Sequence, residues 1–441
     1  MSNFPHQYGT VSQGAQDLEI PQSLLSSRVA KAVPTLNRII SIPSASGSAL
    51  QSGTLNFYIP GGNNSSGFLR AGSLYLRATV TVDKVAQAGD SVVFANQVNS
   101  AASIINRLSI SSGGTNIETI SRYDNYHAMI LSTALNKNYY ENDASITEYC
   151  GTSVDPVVGA TSAVFNIALP LCSAVLSNIK SYPLFLQSLS VQIDLNTLRS
   201  SFKVYGANAG ANTLTGFTVS QAELVYETIS PDHSLLDTMR QEMQATGRMY
   251  EMPMTTPLSL QTSLLANQSL NYNIGLNAAS LSGVFVCEIT TERENLAFAN
   301  AAGGILGITN NFVRNTTEVQ ANRRLVFCDG KQLVNYDVWA DSQNFNETQR
   351  ALSILLDPSN TTLGTRATMC TPENNTQRYY VSGQSSRRFS ENSVCMSGIP
   401  CSNLVINFQK GGASVATSVY IYCLIDQVVV IDSNGSVAVA K

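Results

Sequence analysis

Arg107-Leu108-Ser109-Ile110-Ser111-Ser112-Gly113-Gly114 is followed, 217 residues later, by Arg324-Leu325-Val326-Phe327-Cys328-Asp329-Gly330-Lys331. At that offset Gly113 matches Gly330, Ile117 matches Val334 and Asp124 matches Asp341. Each copy reads as a strand, a glycine turn and a second short strand. A polar stretch with aromatics follows, at Tyr123 and Tyr126 in one copy and at Tyr336 and Trp339 in the other. The offset is close to half of the 441-residue chain. Solenoid units repeat roughly every 20–50 residues, so a period this long points to a duplicated domain. Two similar β domains in tandem suggest an architectural protein.

The sequence on either side supports the β reading. Leu74, Leu76, Ala78, Val80 and Val82 alternate with Tyr75, Arg77, Thr79 and Thr81, the period of two of a half-buried strand. Further strands are expected at 54–59, 103–111, 116–120, 163–169, 188–195, 201–205 and 217–226. Gly113-Gly114 supplies the positive φ a tight hairpin needs, and 121–134 reads as a helix. Ser230 is a candidate cap and Pro231 a first helical residue, with Gly247 ending a linker helix whose apolar stripe is Leu235, Leu236, Met239 and Met243. The second half repeats the plan, with strands at 258–261, 270–275, 283–289, 324–328, 332–334, 379–381, 404–408 and 418–431. A helical segment spans 339–356, stopped by Pro358. The elements are short, separated by turns and without βαβ alternation, which suggests β-sandwiches. Ser418–Ile431, the most strongly β-forming run, is expected to be central.

Composition narrows the function. Charged residues are 13% of the chain, against about 25% in an average soluble domain. A surface so poor in charge repels copies of itself weakly and suits protein–protein contact. A net charge of −4 disfavours a general nucleic-acid binder. Met1 to Ile20 has neither a basic stretch nor an apolar core, so no secretory leader is expected. The eight cysteines include no CxxC pair and are expected to be reduced thiols. Residues 1–34 read as an irregular arm. From Ile20 to Val82 there is no Asp or Glu, while Arg28, Lys31 and Arg38 lie in that acid-free stretch; it is a candidate contact for something negative.

Catalytic patterns are missing. There is no phosphate loop, dinucleotide fingerprint or nucleophile elbow. The three histidines are His6, His127 and His233, and His127 beside Tyr126 reads as a packed side chain rather than a base. Glu292-Arg293-Glu294 and Arg387-Arg388 read as solvated loops. No enzyme activity, cofactor or metal is expected. A hydrolase on this kind of fold needs paired carboxylates, and Glu118, Glu223 and Glu288 form no evident pair. A carbohydrate-binding, lectin-like or adhesin-like β-sandwich is the alternative, but Trp339 is the one tryptophan available for a stacking platform.

Phe94-Ala95-Asn96, Ser103 to Ile110, Gly113-Gly114-Thr115-Asn116-Ile117-Glu118 and Tyr123-Asp124-Asn125-Tyr126 together resemble the first-domain pattern of double jelly-roll major capsid proteins. These occur in virophages, Polinton-like viruses, nucleocytoplasmic large DNA viruses and the tectivirus–adenovirus lineage. The resemblance covers roughly residues 35–432. It implies an all-β chain of two tandem eight-stranded jelly-roll sandwiches with short helices and a linker helix. The expected divisions are an arm at 1–34, a first jelly roll at 35–229, the linker helix at 230–250, a second jelly roll at 251–432 and a tail at 433–441. It also implies homotrimeric pseudo-hexagonal capsomers tiling an icosahedral shell around the genome, assembled inside the host cell. Minor capsid or penton proteins would be neighbours. Arg28, Lys31 and Arg38 would face the interior, toward a membrane or the genome.

Overall fold

The computed structural model describes residues 35–47, 49–62, 67–84, 91–95, 100–134, 161–176, 181–205, 214–266, 268–290, 323–334, 344, 347–348, 350–351, 381–386, 398–409 and 416–440. The first half contains β1 (Thr35–Pro43), β2 (Ala49–Leu50), β3 (Thr54–Ile59), β4 (Phe68–Leu69), β5 (Tyr75–Lys84), β6 (Ser91–Phe94), β7 (Ile105–Ser112), β8 (Thr115–Ser121), β9 (Ser162–Pro170), β10 (Leu189–Leu195), β11 (Phe202–Tyr205) and β12 (Leu214–Pro231). One sheet runs β1-β12-β5-β9, with β2 and β4 added to β12; the other runs β3-β10-β7-β8, and β6-β11 form a separate ribbon.

The connectivity becomes simple when the eight principal strands are ranked along the chain as β1, β3, β5, β7, β8, β9, β10 and β12. First pairs with eighth, second with seventh, third with sixth and fourth with fifth, all antiparallel. A single long hairpin has been rolled so that its two arms spread over two facing sheets, as in a jelly roll. The alternation read from the sequence sets the facing. Leu76, Val80 and Val82 of β5 point inward with Phe57 of β3, Ile110 of β7 and Val191 of β10, in one continuous core. Arg77 on the opposite face of β5 is exposed.

The second half comprises β13 (Tyr250–Leu264), β14 (Leu270–Thr290), β15 (Arg323–Cys328), β16 (Lys331–Gln332), β17 (Val381–Ser385), β18 (Ile399–Gln409), β19 (Thr417–Ile431) and β20 (Val437–Ala440). The two strands expected at 270–275 and 283–289 are one run within a single eight-stranded sheet, ordered β13-β19-β14-β18-β15-β16 with β17 added to β14 and β20 to β19. Its first part pairs with β18 and its second with β19 and β17. Register shifts at Gly275/Ala278 and Ala278/Leu281, with Asn277 at φ 46°, mark the bend between them. Counting β14 as second and third strand restores the first half's pairing: β13 with β19, β14 with β18, β14 with β17, and β15 with β16. Both halves are the same rolled hairpin. The stretch expected as a tail contributes β20, which pairs with the end of β19.

Two local readings are corrected. β12 continues to Pro231, which pairs with Thr35. The helix is therefore His233–Thr246, capped by Asp232, whose carboxylate accepts from the Ser234 N–H at 3.3 Å, rather than by Ser230. Gly247 ends it at φ 65°, as expected. Its stripe packs on the core through buried Leu236 and half-buried Met239 and Met243. The repeat also shifts by one residue. The turn residues are Gly113-Gly114, at φ 54° and 82°, and Asp329-Gly330, at φ 47° and 78°. That pairing of positive φ values is the type I′ requirement, and it aligns the copies at an offset of 216. Buried Leu108, Ile110 and Ser112 then match buried Arg324, Val326 and Cys328. A slip of one would put each on the wrong face. In the expected helix at 339–356, the described residues Asn344, Glu347, Thr348, Arg350 and Ala351 are helical.

Candidate functional site

The sequence stretch that first revealed the duplication lies at the seam between the halves. The β7–β8 tip and the helix Tyr123–Ala134 pack against β19 and β20. The Tyr126 and Tyr422 rings are 5.3 Å apart between centroids, and the Arg122 guanidinium sits 4.7 Å from the centre of the Tyr420 ring. Tyr422 Oη donates to Arg122 O at 3.1 Å, and Gln427 Nε2 donates to Ile117 O at 3.0 Å. Beside the tip, Thr115 Oγ1 donates to Val437 O at 3.1 Å and Gln187 Nε2 to Gly435 O at 2.8 Å. Burial holds the Tyr422 phenol well above its ordinary pKa, so it stays a donor.

β19 is buried almost throughout because it serves two cores. Tyr420, Tyr422 and Leu424 belong to the core shared with the first half. Val419, Ile421 and Cys423, on the alternate face, belong to the second half's own core. Asp426 and Gln427, which interrupt this apolar run, both have partners. Asp426 accepts hydroxyls from Thr255, Ser280 and Ser282 at 2.7, 2.7 and 2.6 Å. Nothing in the local sequence names these partners.

The candidate carboxylates stand apart, each with structural partners. Glu118, on β8, accepts from the Ser173 hydroxyl and from the N–H groups of Ala174 and Val175 at 3.1 and 3.3 Å. Burial raises its pKa against the pull of those bonds. Glu288, on β14, forms a buried ion pair with Arg324 at 2.6 Å. Glu223, on β12, lies 3.9 Å from Arg77 and lines a polar groove of about 1030 Å³ with Tyr75, Arg77, Thr79, Asn166 and Gln221. Among the described residues that line the groove, Glu223 is the one carboxylate. His127 is buried against Tyr123. Burial pushes its pKa down to about 4, opposed by a hydrogen bond to the Pro170 backbone; at neutral pH it is an uncharged packing residue. His233 is exposed at the start of the linker helix. Arg38 is an exposed residue of β1. Arg28, Lys31, His6, Glu292-Arg293-Glu294, Trp339 and Arg387-Arg388 lie outside the described residues.

No family model matches the chain, and no curated protein matches it by sequence. Solved structures do match. Over 94% of this chain and 99% of the other, the fold is similar to that of PBCV-1 VP54 as fitted into the virophage Sputnik, with a TM-score of 0.57 and 13% identity. It is similar to a chain of the Sputnik virophage structure with a TM-score of 0.54 and 12% identity, over 93% and 89%. For the mavirus major capsid protein the TM-score is 0.52 and the identity 12%, over 96% and 94%. This fold is the double jelly roll of viral major capsid proteins. The double jelly roll accounts for the repeated pairing order, the linker helix and the seam in one scheme. Overall identity is only 12–13%, so the resemblance read from the sequence rested on the short pattern between Phe94 and Tyr126.

Proposed function

We propose that this chain is a viral major capsid protein whose working form is a homotrimer, with six sandwiches arranged as a pseudo-hexagonal capsomer in an icosahedral shell. The observation that carries this reading is the nearly end-to-end likeness to major capsid proteins. Two equivalent sandwiches per chain give threefold association six similar wedges. The low charge suits neighbouring copies, as do exposed apolar side chains such as Ile39 (78% exposed) and Leu265 (66%). Minor capsid or penton proteins would complete the shell. The acid-free segment carrying Arg28, Lys31 and Arg38 would face inward, toward genome or membrane.

Light scattering on size-exclusion fractions, followed by negative-stain imaging, tests the proposal. A mass of three chains with hexagonal outlines is expected. A stable monomer with no tendency to assemble overturns it.

A further inference from the structure

Among the described residues, the second half carries a cluster of metal-ligating side chains and the first half carries none. Cys328 ends β15, Asp329 opens the turn and Cys401 lies on β18. Their two sulfurs and a carboxylate oxygen all lie within 4.8 Å of one another. Cys328 Sγ is 3.9 Å from Asp329 Oδ2. At the matching turn of the first half, Ser112 and Gly113 replace Cys328 and Asp329. There Ser112 shares a hydrogen bond of 2.5 Å with Tyr182 and donates to Ser188 O at 2.7 Å.

We propose that Cys328, Asp329 and Cys401 form a binding site for one soft divalent cation of the zinc class, which fastens the β15–β16 hairpin to β18. The donor chemistry fits. Zinc takes thiolate sulfur at about 2.3 Å and carboxylate oxygen at about 2.0–2.2 Å, so tetrahedral donors stand roughly 3.5–3.8 Å apart. The set meets that spacing with a contraction of at most about 1.3 Å, within reach of side-chain rotation. Two sulfurs and an oxygen favour a soft borderline ion over calcium or magnesium, which take oxygen ligands.

The carboxylate is already held in place. Asp329 Oδ1 accepts from the N–H groups of Asn403 and Ser402 at 2.8 and 3.1 Å, and Oδ2 from Ser402 at 3.2 Å. The Asp329 N–H itself donates to Asn403 O at 2.9 Å. The carboxylate is thus pinned to β18 with Oδ2 directed at the Cys328 sulfur. Both cysteines are buried, at 3% and 1% exposure, while Asp329 is exposed. A cation would enter from the Asp329 side and keep a solvent molecule as fourth ligand. Burial pushes both thiols up, so they carry protons until a cation displaces them. The cation would then hold two thiolates and one carboxylate.

The test uses the full-length chain, reduced and stripped of metal. It is titrated with Cd²⁺ under thiolate-to-metal absorption, then with Zn²⁺ against a chromogenic chelator. Other cysteines take part in any total, so the comparison is with Cys401→Ser and Asp329→Asn. The wild type is expected to take up one equivalent more than Cys401→Ser. Asp329→Asn, at an exposed position, is expected to keep the fold by circular dichroism and weaken binding at least tenfold. Equal uptake by the wild type and Cys401→Ser overturns the proposal. So does a Cys328–Cys401 disulfide in protein purified without reductant, if reduction restores no metal uptake. Unchanged affinity in Asp329→Asn removes the carboxylate from the site and overturns the three-donor assignment.

Discussion

Replacing Arg324 by leucine should strand a buried carboxylate, and the repeat supplies its own control. Arg324 Nη2 and Glu288 Oε1 are 2.6 Å apart, with side chains 8% and 5% exposed. Thr417 Oγ1 donates to the other carboxylate oxygen at 3.0 Å. The residue at the matching position of the first hairpin is Leu108, fully buried in an apolar core. Breaking a buried pair by removing one partner typically costs about 3–5 kcal/mol. The loss in Arg324→Leu is therefore expected at about 3–5 kcal/mol. Removing both charges, in Arg324→Leu with Glu288→Gln, should return stability to within about 1 kcal/mol of the wild type. Urea unfolding followed by circular dichroism measures all three chains. A loss under about 1 kcal/mol refutes the reasoning, as does a double variant weaker than the single.

His127 should make the fold acid-sensitive. Its pKa is about 4 in the folded chain, against an ordinary 6.5. The unfolded chain thus takes up a proton first, and up to about 3 kcal/mol present above pH 6.5 is lost as pH falls toward 4. Glu118, raised by burial, works in the opposite sense, so the diagnostic is the difference between wild type and His127→Leu. Parallel stability–pH curves for the two would assign the slope elsewhere. Gln427→Leu should cost about 1–3 kcal/mol by leaving the buried Ile117 carbonyl without its donor; unchanged urea unfolding would show that water replaces it. Gly67→Ala should cost more than about 1 kcal/mol. Gly67 lies at φ 102°, and a Cβ there meets the Ile229 carbonyl. A thermal midpoint equal to the wild type's would show that this loop yields.

The sequence read most clearly where one physical signal dominated. The period-two alternation of 74–82 became β5 with the expected facing, and Gly113-Gly114 became a tight turn because almost nothing but glycine takes two successive positive φ values so readily. The duplication was visible, but its register was not. Arg107 and Arg324 look equivalent by identity, whereas turn geometry aligns Leu108 with Arg324, and only burial shows that an arginine there is paired inside. The linker helix began two residues later than its proline suggested, because β12 runs on to Pro231 and pairs it with Thr35. The seam was the hardest to foresee. Tyr126 and Tyr422 lie in different halves, and nothing local in either segment names its partner.

β19 offers a last consequence. Its two faces complete two different cores, so neither half can shed the other without laying bare Tyr420, Tyr422 and Leu424. Cutting the chain at the linker would leave adhesive fragments rather than two small proteins. The shared core ties the two halves together as one packing unit. If copies of this chain close into the proposed shell, a core shared in this way would leave curvature to the joints between chains.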